Sequence, residues 1–238
     1  MDRGEGLKDL AEGRADDADC YADFSEFDDP VATAARKATK VDARAMRTRS
    51  RVKLQRALSN ETLNAILPSP IASGDSWHIL SGGNVSGLSY LANLLQSGPA
   101  DHVILSTWCM SLDDVLQLEA WLDSGLINRL DIYCGEIFSS GAYATAVERI
   151  CVALRKNVGC GRVAIFRNHS KVIVFAAHRR RYYVVVESSA NLNTNPRTEQ
   201  TTVTRSRALA NFYRAFYDGI RSHQRNFDNW TPHGWPSA

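Results

Sequence analysis

From Trp77 onward the chain alternates between short apolar runs rich in β-branched residues and longer stretches whose apolar residues recur at helical spacing. SWHILSG reads as a short strand, SGLSYLANLLQSG as a helix closed by Gly98-Pro99, and HVILSTW (102–108) as a second strand. SLDDVLQLEAWLDSGL opens with Ser111 as a helix N-cap, and Asp113 and Asp114 fall in the first turn, where carboxylates meet unpaired N–H groups. RLDIYCGEIF reads as a strand and GAYATAVERICVALRKN as a helix. GRVAIFRN, SKVIVFAA and RYYVVVESS read as three strands, and ALANFYRAFYDGIRSHQRNF as a C-terminal helix. Strands interleaved with helices bury both sheet faces. The pattern therefore predicts an α/β fold whose sheet is largely parallel and ends in a hairpin. No internal repeat is visible.

GGNVSG (82–87) lies between a strand and a helix, as phosphate loops do, but lacks the Gly-Lys-Ser/Thr ending of such loops. It reads as a tight turn that points a helix N-terminus at the strand ends, a place that can still hold a phosphate.

The segment before this domain is split by charge. Residues 1–30 carry eleven acids against three bases, and residues 31–60 nine bases against one acid. The acidic block has few large aliphatics and cannot bury enough surface to offset ordering. The basic block is rich in Ala, Arg and Lys and reads as partly helical. Its Arg47, Arg49, Arg51 and Lys53 suit a phosphate backbone. Pro68 and Pro70 punctuate the junction. The expected organisation is an N-terminal arm over 1–70, disordered or partly helical, and a folded domain over 71–238. Net charge is only +2, so bulk charge adds no nucleic-acid or membrane signal. The five Cys are odd in number and lack C-x-x-C spacing, which reads as buried free thiols and a reducing compartment. The N-terminus MDRGEGLKDL has no signal-peptide apolar region, and no stretch approaches the roughly 18 apolar residues of a membrane span. The expectation is a soluble, cytoplasmic protein with no membrane partner.

The chemistry is concentrated in RNHSKVIVFAAHRRRYYVVVESSANLNTNPRTEQ (167–200). Side chains alternate along a strand, so His169 and Lys171 share a face. Ser189, Asn191 and Asn193 share parity on the returning strand, and an antiparallel return brings them toward Lys171. An imidazole, an ammonium, a hydroxyl and an amide would then meet at one end of the hairpin. Three of these donate to anionic oxygen, and the imidazole can attack phosphorus or shuttle a proton near neutral pH. That is an inventory for phosphoryl transfer without a metal or cofactor. Glu199 follows and could orient the imidazole. His178-Arg179-Arg180-Arg181 marks the hairpin tip, either as a solvated turn or as a track for a nucleic-acid backbone.

His169-Ser170-Lys171, the apolar run after it, Ser188-Ser189-Ala190-Asn191 and Glu199 together resemble the phospholipase D superfamily motif, H-x-K-x4-D followed by G-S-x-N and an acid. The resemblance covers roughly residues 77–205. Two positions depart from the pattern: Ala176 stands where the motif has Asp, and Ser188 where it has Gly. The resemblance implies a mixed sheet flanked by helices and a phosphohistidine mechanism in which two histidines face one phosphate. This chain carries one motif, because His78, His102, His178, His223 and His233 have no Lys two residues on. A single-motif chain resembles the small bacterial nucleases of the superfamily, which complete the site by homodimerising. The implied roles are attack by His169, phosphate contacts from Lys171 and Asn191, support from Ser189, and orientation of His169 by Glu199. The implied activity is a metal-independent nuclease, with DNA favoured over RNA. Two alternatives stand beside it: a catalytically degenerate nucleic-acid-binding or assembly module, with Ala176 as the trace of lost turnover, and a lipid phosphodiesterase.

Overall fold

The computed structural model describes residues 51–139, 141–156, 161–193, 197–222 and 235–236. These belong to one unit, Ser50–Ala238. The acidic leader, Arg47 and Arg49 lie outside the described residues, as do the side chains of Arg51 and Lys53.

The elements in order are α1 (Arg51–Ile66), β1 (Ser76–Ser81), α2 (Gly87–Gln96), β2 (His102–Thr107), α3 (Leu112–Asp123), β3 (Leu130–Cys134), a 3-10 turn (Glu136–Ser139), α4 (Gly141–Lys156), β4 (Gly161–Ile165), β5 (Val172–Ala177), β6 (Tyr182–Ser188), β7 (Glu199–Arg205) and α5 (Arg207–Asp218). The strands form one sheet in the order β1-β7-β6-β5-β2-β3-β4. The α/β class, the flanking helices and the mixed sheet match what the resemblance implies; the pattern reading of a largely parallel sheet is what the structure corrects. Only β2–β3 and β3–β4 pair in parallel, and the other four pairings run antiparallel. The reason lies in the connections. Helices α3 and α4 each return the chain to a neighbouring parallel strand and α2 carries it from β1 to the non-adjacent β2, while β4, β5, β6 and β7 follow one another without a helix between them.

Three further boundaries depart from the sequence reading. The stretch EQTTVTR, to which no strand was assigned, forms β7 and buries Glu199, Thr201 and Val203 at alternate positions. Strand β3 stops at Cys134, and Glu136 to Ser139 turn as a 3-10 helix. Helix α5 ends at Asp218 with Gly219 as C-cap, well before Phe227.

β2, β5 and the first five residues of β6 are buried on both faces, which is why they read as continuous apolar runs. One face packs Ile104, Tyr133, Ala164, Val172, Val174, Ala176, Tyr183 and Val185 under Ala210 and Tyr217 of α5. The alternate residues, including Leu105, Ile132, Ile173, Phe175 and Val184, fill the other face. Ser111 caps α3 as expected and completes a capping box with Asp114.

Helix α1 lies inside the stretch assigned above to the N-terminal arm, yet it is built into the domain. Leu63 in the helix and Leu67 just after it are buried, each worth about 1.5–3 kcal/mol on transfer from water. Ser59 Oγ accepts from the Ser86 backbone N–H at 2.8 Å, and Arg56 pairs with the buried Asp114.

Candidate active site

The parallel strands β2 and β3 end side by side at Thr107 and Cys134, and β5 begins beside them, with Val172 opposite Ser106. The chain enters β5 through a turn built on Asn168, which is buried. Its Nδ2 donates to Ser106 Oγ and to the Tyr133 carbonyl, each at 2.9 Å. Its Oδ1 accepts from the Ser170 N–H at 3.0 Å and the Ser170 hydroxyl at 2.6 Å. An Asn that bonds two residues ahead makes a side-chain-closed turn. Ser170 turns inward to Ser106 Oγ (2.7 Å) and to Tyr217 Oη on α5 (3.0 Å). The residue between the two anchors, His169, is left exposed.

Lys171 Nζ donates to the His169 carbonyl at 2.9 Å and stands 3.1 Å from Nδ1 and 3.2 Å from Nε2 of the same residue. The imidazole also faces the Trp108 indole, with ring centroids 5.5 Å apart and planes at 57°. Partial burial, and then the neighbouring Lys171 ammonium, hold the His169 imidazole below its ordinary pKa. The ring is thereby biased toward the neutral form, whose lone pair can attack an electrophile.

The returning strand comes alongside as expected: the Ser188 N–H donates to the Lys171 carbonyl at 3.0 Å. Ser189 follows, held twice by β7. Its N–H donates to the Gln200 carbonyl and its Oγ accepts from the Gln200 N–H, both at 2.9 Å. Its hydroxyl donates to Glu199 Oε2. Among the described residues Glu199 makes no hydrogen bond to His169; its carboxylate is spent on Ser189. Asn191 sits against the GGNVSG turn, where its carbonyl accepts from the Gly87 N–H at 3.0 Å. A Cβ on Gly87 would stand 2.5 Å from that oxygen, so only glycine allows this approach. Ser86 caps α2 at this point, which places a helix N-terminus beside Asn191. Asn191 Oδ1 is buried and has no hydrogen-bond partner among the described residues.

The remaining sequence candidates lie elsewhere. Ala176 is fully buried, opposite His102 on one side and Tyr183 on the other. It is five residues along β5 from Lys171, about 17 Å at strand spacing, and so does not adjoin the imidazole. Arg179, Arg180 and Arg181 crown the far end of the β5–β6 hairpin, away from His169. Arg180 donates to the carbonyls of Ser97 and Pro99 and so fastens the hairpin to the α2–β2 loop. Among the described residues no second histidine touches His169. Sequence reasoning passed over Asn168 and Trp108. For Asn168 a signal was present, an Asn two residues before the Ser170 N–H it closes on.

No protein-family model matches the sequence, and no curated protein matches it. Among solved structures, the chain is similar in fold to Nuc from Salmonella typhimurium, a phospholipase D family member, at 14% identity over 61% of this chain and 92% of that one, with a TM-score of 0.46. It is also similar to NucT from Helicobacter pylori, at 13% identity over 60% of this chain and 94% of that one (TM-score 0.42). A third similar structure is polyphosphate kinase from Porphyromonas gingivalis, at 17% identity over 63% of this chain (TM-score 0.45), of which this chain spans 27%. No helix among the described residues is long and apolar enough to cross a membrane.

Proposed function

We propose that the chain is a metal-independent phosphodiesterase of phospholipase D type acting on nucleic acid, with a site shared by two copies. The observation that carries this reading is an exposed imidazole, biased toward its neutral form, with the Lys171 ammonium within 3.2 Å of both ring nitrogens. The ammonium is placed to draw in the non-bridging oxygens of a phosphodiester, and the imidazole to attack its phosphorus. In the first step a ring nitrogen of His169 bonds to phosphorus as the bond to the leaving oxygen breaks. The leaving oxygen takes a proton from the imidazolium of a second copy's His169. Water then attacks the phosphohistidine, giving its proton to that second imidazole, and the P–N bond breaks to free His169. Among the described residues one imidazole stands at the site, so the pairing of copies supplies the acid. Ser189, held by Glu199, and Asn191 border the phosphate, with Glu199 acting on the site through Ser189. The basic residues Arg47, Arg49, Arg51 and Lys53 would add backbone contacts.

The test is cleavage of single- and double-stranded DNA and RNA in excess EDTA by wild type and His169→Ala, with sedimentation to count subunits. Cleavage by a dimeric wild type alone is expected. Cleavage that needs a divalent ion, or an active monomer, would overturn the shared, metal-free site. A second reading is favoured by Ala176, which puts an apolar residue at the motif's carboxylate position. In that reading the domain binds nucleic acid without turnover, and salt-sensitive binding unaccompanied by cleavage in either protein would establish it.

A further inference from the structure

Trp108 is a large aromatic at the His169 end of the sheet that is not fully taken into the core. It follows the last residue of β2, is half-buried, and faces the His169 ring at 5.5 Å. Its seat is specific. A Cβ on Gly135, at the end of β3, would stand 2.7 Å from Trp108 Cδ1 and 2.9 Å from the Asn168 carbonyl. A bare backbone at Gly135 thus lets the indole and the Asn168 turn close on the same point. The loop beneath is fixed as well, because Thr107 Oγ1 donates to the Cys109 carbonyl at 2.7 Å. A rigidly seated, partly open indole beside a phosphate-attacking imidazole is a stacking surface for a flat group one bond series away from the phosphate.

We infer that Trp108 is a base-stacking platform and that the substrate presents unpaired bases at the scissile phosphate, a single-stranded nucleic acid in preference to a duplex. The inference rests on the phosphodiesterase reading of His169 and names the substrate class for that site. In a duplex the bases are stacked on each other and only the phosphates reach the surface. A single strand can turn a base onto the indole while its phosphate meets His169 and Lys171. Stacking is tolerant of base identity, so the platform gives strand preference without sequence preference.

The full-length protein is tested with a single-stranded oligodeoxynucleotide, the same strand in a duplex, and the same strand carrying abasic sites. Binding is read by fluorescence anisotropy in EDTA on a His169→Asn background, so that the strand is not consumed, and cleavage is read separately with His169 intact. Trp108→Leu is expected to weaken binding of the normal single strand by about 5- to 150-fold. The abasic strand should change by less than about 2-fold, the abasic strand being blind to lost stacking. Trp108→Phe should recover most of the loss, and in cleavage the effect should fall on KM more than kcat. Equal weakening on normal and abasic strands would overturn the inference by making Trp108 a support for the His169 turn. No weakening on either, or tighter binding of the duplex, would also overturn it. Base-dependent binding by Trp108 without cleavage in the wild type would sink the phosphodiesterase reading and leave the platform standing. Cleavage indifferent to Trp108 would do the reverse.

Discussion

Asn168 Oδ1 accepts the backbone N–H of Ser170 at 3.0 Å, and this one bond closes the turn that holds His169 out from the sheet. The same amide reaches back to Ser106 and to the Tyr133 carbonyl, so the turn is tied to β2 and β3 together. Replacing Asn168 with Ala removes its bonds to Ser106 Oγ, the Tyr133 carbonyl and Ser170 together, a cost of about 2–3 kcal/mol. Asn168→Ala should therefore lower the urea midpoint. It should also lower kcat beyond the loss of folded protein, because His169 is freed from its fixed exit. Normal turnover per folded molecule would show that His169 is positioned by something else.

Lys171 acts on His169 through space, its ammonium lowering the pKa of the ring. An ammonium beside the ring disfavours imidazolium, as does partial burial, so the neutral ring persists to lower pH than in a free imidazole of pKa about 6.5. The acid limb of kcat/KM should lie below that value in the wild type. Lys171→Met removes the second cause and keeps the first, so the His169 pKa should rise part of the way back. Titration of the His169 Cε1–H resonance checks this independently of turnover. A pKa unmoved by the substitution would mean that burial alone sets it.

Ser189 and Glu199 form a second unit. The carboxylate holds the hydroxyl, and the Gln200 N–H holds the same oxygen from the other side. Residues that share one bond do not contribute additively. Ser189→Ala and Glu199→Ala should each destabilise, and the double variant should cost less than their sum by about 0.5–3 kcal/mol. Additive losses in denaturant titrations would deny the pairing. The His169 titration should not move in Glu199→Ala, since the carboxylate is bonded to Ser189; a shift would restore the orienting role first assigned to Glu199.

How far the sequence could be read follows from which physical signals are local. Strand parity set His169 and Lys171 on one face, and β-branched runs located β5 and β6, because both are properties of a few adjacent residues. Ser111 announced its helix because a cap is chosen by the N–H groups immediately after it. The direction of strand pairing was less legible, since it depends on which connections carry a helix and which do not. β7 escaped because EQTTVTR offers Thr where a core strand offers Val or Ile, and its burial comes from pairing with β1 and β6 rather than from its own pattern. Glu199 was legible as a site residue but not as the partner of Ser189, since that contact is made across two strands. The helicity of α1 was legible but its place in the domain was not: its Arg and Lys read as a solvated arm, while Leu63 carries the packing.

The buried pair His102–Asp131 shows how a polar cluster can serve the fold without serving the site. His102 Nε2 lies 2.8 Å from Asp131 Oδ2, and Trp235 Nε1 donates to His102 Nδ1 at 2.8 Å. With Nδ1 accepting, the ring carries its proton on Nε2 and donates it to the carboxylate. The Arg129 guanidinium adds an ion-pair contact to the same Asp131 at 3.1 Å. Asp131→Ala strands both partners next to an apolar layer, and breaking a buried pair from one side costs about 3–5 kcal/mol. Asp131→Asn keeps an acceptor for His102 and should cost less. The pair meets β5 at Ala176, the opposite end of that strand from Lys171. Turnover per folded molecule should therefore be unchanged in Asp131→Asn. A urea midpoint that falls in the order wild type, Asp131→Asn, Asp131→Ala, with constant slope, is the expected result. A loss of turnover in Asp131→Asn at full folding would tie this cluster to the chemistry at His169.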